Sequence, residues 1–223
     1  MTKMNSPLSL RPTRAPRRIR DRGRGFSLIE VMTAATIGIV LAAFAIPKMT
    51  SSLQNFRTGG DARTLNTDVT LAKMRASSGY THARVYADLS AQTIEVDVWN
   101  TSTSAWAPDS QNGTANSLSK SVTFGYGTAI ANPPPNTQST IAQAPLCYNA
   151  ANTATVANTA CVVFNSRGVP IDSTSTPTGS DALYVTDGTS VYSVTVTATG
   201  SIRTWRSESS PASCSAGSCW KKR

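Results

Sequence analysis

From residue 26 to residue 46 the chain is almost wholly apolar, and Glu30 is the only charge in that run. Twenty-one residues at about 1.5 Å each cover roughly 30 Å as a helix, the thickness of a bilayer's hydrocarbon core. Beyond Pro47 the pattern turns amphipathic. Leu53, Phe56, Leu65, Val69, Ala72 and Ala76 recur at spacings of one helical face, while Asp61, Arg63, Asp68, Lys73 and Arg75 occupy the others. This predicts a helix over 26–79. It should kink or break at Pro47, which lacks a backbone donor, and weaken at Gly59-Gly60. Ser77-Ser78-Gly79 ends it.

After Tyr80 the period changes from helical to two. His82–Asp88 and Thr93–Trp99 alternate around a short turn and predict a hairpin, with Ile94, Val96 and Val98 on one side and Glu95 and Asp97 on the other. Residues 100–120 read as a polar loop. Ser121–Tyr126, Ala160–Asn165, Ala182–Thr186, Ser190–Thr197 and Ser201–Trp205 read as further strands, with Asp187-Gly188 and Thr199-Gly200 as turns. A long Pro/Asn/Ala-rich excursion containing Pro133-Pro134-Pro135 precedes Cys147. Residues 206–223 read as a polar tail. The fold class is therefore α+β, a long N-terminal transmembrane helix packed on an antiparallel β-sheet domain. Residues 1–25 form a basic arm, 26–79 the helix (26–46 in the membrane) and 80–223 the β-rich body with its tail.

Charge changes the picture. The total is +9, yet residues 1–25 carry eight Lys/Arg against Asp21, a net +7, and Lys221-Lys222-Arg223 add +3. That leaves −1 for everything between, so the body is nearly neutral. Lys and Arg resist translocation, so a basic arm before an apolar run marks the cytoplasmic side of a membrane segment. The body is then expected outside the cytoplasm, where disulfides persist. Cys147, Cys161, Cys214 and Cys219 lack the spacing of a zinc site, and a single His is available to complete one. Two local disulfides are their expected use, with the connectivity left open.

The apolar run admits three readings: a plain anchor, a cleavable secretory signal with Ala43-Phe44-Ala45 as its cut site, and a prepilin-type signal cut at its cytoplasmic edge. An acid inside the bilayer costs roughly 2.5–3.5 kcal/mol at its centre and less near an end, so Glu30 needs a use. Gly25-Phe26-Ser27-Leu28-Ile29-Glu30-Val31 resembles the signature of type IV pilins and type II secretion pseudopilins. The resemblance implies that prepilin peptidase cuts between Gly25 and Phe26, that Phe26 is N-methylated, and that Glu30 meets the N-terminal amine of a neighbouring subunit during assembly. Two unit charges about 4 Å apart attract by roughly 4 kcal/mol at an effective dielectric near 20, enough to offset an acid's cost. Leu71–Arg75 with Ala83–Val85, and Val163–Gly168 before a last hairpin, resemble the GspH/FimT branch of minor pseudopilins. The implied protein is a minor structural subunit of a secretion pseudopilus or type IV pilus. It would be held single-pass in the bacterial inner membrane, with its N-terminus cytoplasmic and its body periplasmic, and then incorporated in a filament. Its partners would be other pilin subunits.

The body shows no G-x-S-x-G, H-E-x-x-H or phosphate-binding glycine loop, so no catalytic residue, cofactor or metal is expected. His82 reads as a structural histidine. Asp172, Asp181 and Asp187 read as turn aspartates rather than a calcium loop. Arg203 and Arg206 flank Trp205, a pattern suited to phosphate contact with base stacking. Some FimT-type minor pilins bind DNA for uptake through a Gly-Arg-x-Arg element, of which Gly200 and Arg203 match and Ser201 does not. The body's end therefore reads as a solvated strand, with a DNA-binding minor pilin as the alternative.

Overall fold

The computed structural model describes residues 25–110, 115–127, 130, 132–179, 181–208 and 219–223. The chain divides into two compact units, Met1–Ile46 and Pro47–Arg223. One helix, α1 (Leu28–Ser78), contributes to both and continues through Pro47, so the predicted break is absent. A proline removes only one intrahelical bond, and the turns around it supply the rest. In the first unit every described residue is exposed, and α1 is long and apolar enough there to cross a membrane.

Among the described residues, the second unit strings eleven strands after the helix. They are β1 (Ala83–Asp88), β2 (Thr93–Asn100), β3 (Ala105–Pro108), β4 (Asn116–Ser117), β5 (Thr123–Phe124), β6 (Thr159–Phe164), β7 (Pro170–Ile171), β8 (Asp181–Thr186), β9 (Ser190–Val196), β10 (Ile202–Glu208) and β11 (Lys221–Lys222). They form two antiparallel sheets, one ordered β3-β2-β1-β6-β7 with β4 also on β2, the other β11-β10-β9-β8-β5. The predicted hairpin appears as β1–β2, with Val85 opposite Val96. Its turn is closed by Asp88, whose Oδ1 accepts from the Ser90 and Ala91 N–H groups. Residues 100–120 are not merely a loop. β3 and β4 arise there because both add to the free edge of β2.

The helical stripe that is buried runs Thr58, Ala62, Leu65, Val69, Ala72, Ala76, at alternating spacings of four and three. It packs on the inner faces of both sheets: Ala83, Val85 and Ala87 of β1, Val162 and Phe164 of β6, Leu183 and Val185 of β8, and Val194 and Val196 of β9. Leu53 and Phe56 do not join it. Phe56 is 75% exposed, because the inner stripe passes instead through Gly59, where an added Cβ would lie 3.3 Å from the Tyr192 hydroxyl. Gly59 thus allows close approach of helix and sheet, where its sequence position suggested only a weak point.

Alternation gives each sheet a second face. On the second sheet it holds Ala182, Tyr184, Val191 and Trp205, covered by Ile130 and Trp220. The Trp220 indole N–H donates to the Asn132 carbonyl at 2.9 Å, and β11 pairs with β10. The last residues are therefore a docked strand, which the lysines themselves gave no sign of. The second face of the first sheet carries Arg84, Asp97, Trp99 and Cys161, and it is a polar site.

Candidate functional site

At the N-terminus, the Glu30 and Val31 N–H groups donate to the Ser27 carbonyl at 3.0 and 3.1 Å, opening α1 with Glu30 in its first turn. A carboxylate there is favoured by the free N–H groups of that turn. Among the described residues the Glu30 carboxylate has no hydrogen-bond or ion-pair partner. The threonine hydroxyls in the run satisfy themselves: Thr33 donates to the Glu30 carbonyl, and Thr36 to those of Met32 and Thr33. This arrangement suits a medium without water. Gly25 and Phe26 precede the helix and are exposed. The apolar start thus has one unmatched acid and an accessible Gly–Phe bond five residues before it.

The two arginines of β10 are not brought together. Ile202, Thr204 and Arg206 share the face toward α1, while Arg203, Trp205 and Ser207 share the opposite face. Trp205 is buried, and its indole N–H donates to Thr195 Oγ1 at 3.0 Å, so its ring is not a stacking platform. Arg206 lies over the Tyr192 ring, 5.8 Å from its centroid, and lines a groove of about 360 Å³ with Arg63, Arg223 and Phe56. Arg203 is exposed.

Cys147 and Cys161 are joined by a disulfide, and Cys219 is disulfide-bonded. Cys214 lies outside the described residues. Cys161 sits on β6, so the bond ties the excursion loop across the outer face of the first sheet. Under that loop lies a cavity of about 530 Å³, with Arg84, Trp99, Trp106 and Cys161 on the sheet side and Tyr148 and Asn152 on the loop side. The two indoles meet edge to face, their centroids 5.3 Å apart.

Arg84 is the centre of this floor. Its Nε and Nη2 donate to Asp97 Oδ2 at 2.8 and 2.7 Å, its Nη1 donates to the Tyr148 carbonyl at 2.6 Å, and it lies 4.5 Å above the Trp106 ring. Burial lowers the Arg84 pKa and raises that of Asp97, the pairing opposing both shifts. The far side of the cavity carries Asp181, at the start of β8. The residue is nine-tenths buried, and burial pushes the carboxyl pKa up while one bond from Thr178 Oγ1, 3.1 Å, pulls it down.

The three aspartates considered for calcium have separate places. Asp172 and Asp187 accept turn N–H groups, from Thr174 and Thr176 and from Thr189 and Ser190. Asp181 instead lines the cavity. Among the described residues no three His, Cys, Asp or Glu cluster as a metal site would require. His82 also lines the cavity. Sequence reasoning missed the cavity. Its available signal was polar Arg84, Asp97 and Trp99 on alternate strand positions, which marks a sheet face that is neither plain core nor plain surface.

Residues 20–46 match a family described as the prokaryotic N-terminal methylation motif. No curated protein matches the chain. Among solved structures, the chain is similar to the minor pseudopilin EpsH from the Type 2 Secretion System of Vibrio cholerae. The two are 12% identical, with a TM-score of 0.41, over 66% of this chain and 95% of that one.

Proposed function

We propose that this chain belongs to the type IV pilin and pseudopilin superfamily, a reading its methylation motif over residues 20–46 supports, and is a minor structural subunit of a type II secretion pseudopilus or a type IV pilus. Glu30 carries this reading: it is a lone carboxylate in the first turn of an exposed apolar helix, with no partner among the described residues of its own chain. Prepilin peptidase removes residues 1–25 by cutting after Gly25 and methylates Phe26. The new amine and Glu30 then have opposite charges at the start of the same apolar helix. In a filament the Glu30 of one subunit meets the amine of another, an attraction of roughly 4 kcal/mol at about 4 Å that fixes the register between them. The basic arm keeps the N-terminus cytoplasmic, and the oxidised Cys147–Cys161 pair fits a periplasmic body. The segments around Leu71–Val85 and Val163–Gly168 support the GspH/FimT branch.

Mass spectrometry of the mature N-terminus tests the processing step. Methylated Phe26 is the expected result, and a chain starting at Ile46 would overturn it. Glu30→Ala should be cleaved normally yet fail to enter filaments. Normal incorporation of that variant would refute the pairing.

A second reading, a DNA-binding minor pilin for uptake, is supported by the groove where Arg63, Arg206 and Arg223 gather beside Phe56. Salt-dependent binding of duplex DNA by the full chain in detergent, weakened by Arg63→Ala and Arg206→Ala, is its expected signature. Absence of binding at low salt would dismiss it.

A further inference from the structure

We propose that the cavity on the outer face of the first sheet binds a primary ammonium or guanidinium group on a flexible chain, either a lysine or arginine side chain of a partner protein or a free polyamine. Its volume, about 530 Å³, lies in the range of ligand sites. The argument for a cation rests on which charges in the lining are already matched. The Arg84 charge is already matched: Asp97 pairs with one edge of its guanidinium, and the Tyr148 carbonyl accepts from Nη1.

Asp181 is in the opposite state. The residue is 8% exposed, and its Oδ2 accepts from Thr178, whereas its Oδ1 accepts no hydrogen bond among the described residues. Among the described residues no Lys or Arg pairs with it. Burial raises its pKa, the sign of an ionised form that lacks compensation. Asp172 lines the same cavity, one of its oxygens held by the Thr174 and Thr176 N–H groups. With Arg84 cancelled by Asp97, the lining therefore has a net negative charge.

The aromatic walls agree. Trp99 and Trp106 bring electron-rich rings to the same space, and Trp106 already holds one guanidinium against its face. A neutral sugar would need an open ring face, and Arg84 covers one of those Trp106 has. An apolar ligand would leave Asp181 buried and unmatched. A cation on a flexible chain offers the carboxylate its charged end and the rings its methylenes.

The test uses the full chain in detergent micelles, with indole N–H signals of Trp99 and Trp106 followed by NMR. The probes are Nα-acetyl-lysine amide, Nα-acetyl-arginine amide and spermidine, with Nα-acetyl-norleucine amide as the uncharged control. The cationic probes should shift the Trp99 and Trp106 signals saturably, while Trp205 and Trp220 stay in place and norleucine has no effect. Asp181→Asn should weaken binding at least about tenfold, the scale of one hydrogen bond to a charged group. Arg203→Ala, on the other sheet, should leave it unchanged. Unchanged Trp205 and Trp220 signals in Asp181→Asn establish that the variant is folded. Tighter binding of a lysine tripeptide than of spermidine assigns a protein side chain, and the reverse assigns a polyamine; both support the site. No saturation by any cation below about 10 mM, equal binding of norleucine, or unchanged affinity in Asp181→Asn would overturn it.

Discussion

Removing half of the Arg84–Asp97 pair should cost the body more than removing both halves. The residues are 4% and 3% exposed, and two guanidinium nitrogens share Asp97 Oδ2 at 2.8 and 2.7 Å. Asp97 Oδ1 is buried without any partner, so even the intact pair is under-satisfied. On both sides the largest influence on the pKa is desolvation, pushing each group toward its neutral form. Asp97→Ala leaves a guanidinium in that space with the Tyr148 carbonyl, two ring faces and the more distant Glu95 charge to stabilise it. Stranding one buried ion typically costs about 3–5 kcal/mol, whereas replacing both ions with apolar groups is often neutral or stabilising. For a unit of this size each kcal/mol shifts the melting temperature by roughly 2–4 °C. Thermal unfolding of the full chain in detergent, followed by near-UV circular dichroism, should therefore fall by about 6–20 °C for Asp97→Ala. The pair Arg84→Met with Asp97→Leu should melt well above that single variant. A shift below about 2 °C for Asp97→Ala, or a double variant that falls as far, would refute the assignment of cost to the stranded charge.

Two further outcomes follow from single sites. Burial raises the Asp181 pKa above its ordinary 3.8, so the folded state holds that proton more tightly than the unfolded chain. Stability is then lost as pH rises through that value, and the penalty is fully present above the folded pKa. Asp181→Asn should accordingly raise the melting temperature at pH 7, with the gain vanishing below about pH 3.8; no gain at neutral pH would contradict the reading. Gly200 has φ +75, and a Cβ there would lie 2.1 Å from the Gly168 carbonyl oxygen, beside Lys73, whose ammonium donates to the Gly200 carbonyl. Gly200→Ala should cost about 3 kcal/mol in denaturant unfolding, strain and overlap together. Gly188→Ala, at φ +85 but facing open space, should cost only about 1–2 kcal/mol; equal losses would show that the Gly168 contact does not matter.

The extent to which the fold was legible varied with how local its signal was. The strands around Val85, Val96, Val162 and Val194 were readable because alternate residues of a strand share one sheet face, so the valines turned toward α1 recur at every second position. β3, β4, β7 and β11 carry two to four residues each and exist because a neighbouring edge offers them hydrogen bonds. The helical face was right from Leu65 to Ala76 and wrong at Leu53 and Phe56. Their spacing fits the stripe, yet the sheet meets α1 at Gly59 and Ala62. Arg203 and Arg206 stand at odd and even positions, so alternation alone separates them. That Trp205 is covered depends on Ile130 and Trp220, far away in the chain.

By itself the sequence determined the apolar span, the single acid at Glu30, the glycine before Phe26 and the change from helical to strand period. Each is a pattern within a few turns or strand steps, set by backbone geometry and by the cost of charge in an apolar medium. Only the tertiary structure decided that the strands split into two sheets, that the Arg84 charge is paired with Asp97, and that Asp181, with no ion-pair partner among the described residues, lines the same cavity as two tryptophans. Those facts depend on which distant groups are brought into contact and which are denied water, and no local pattern encodes that.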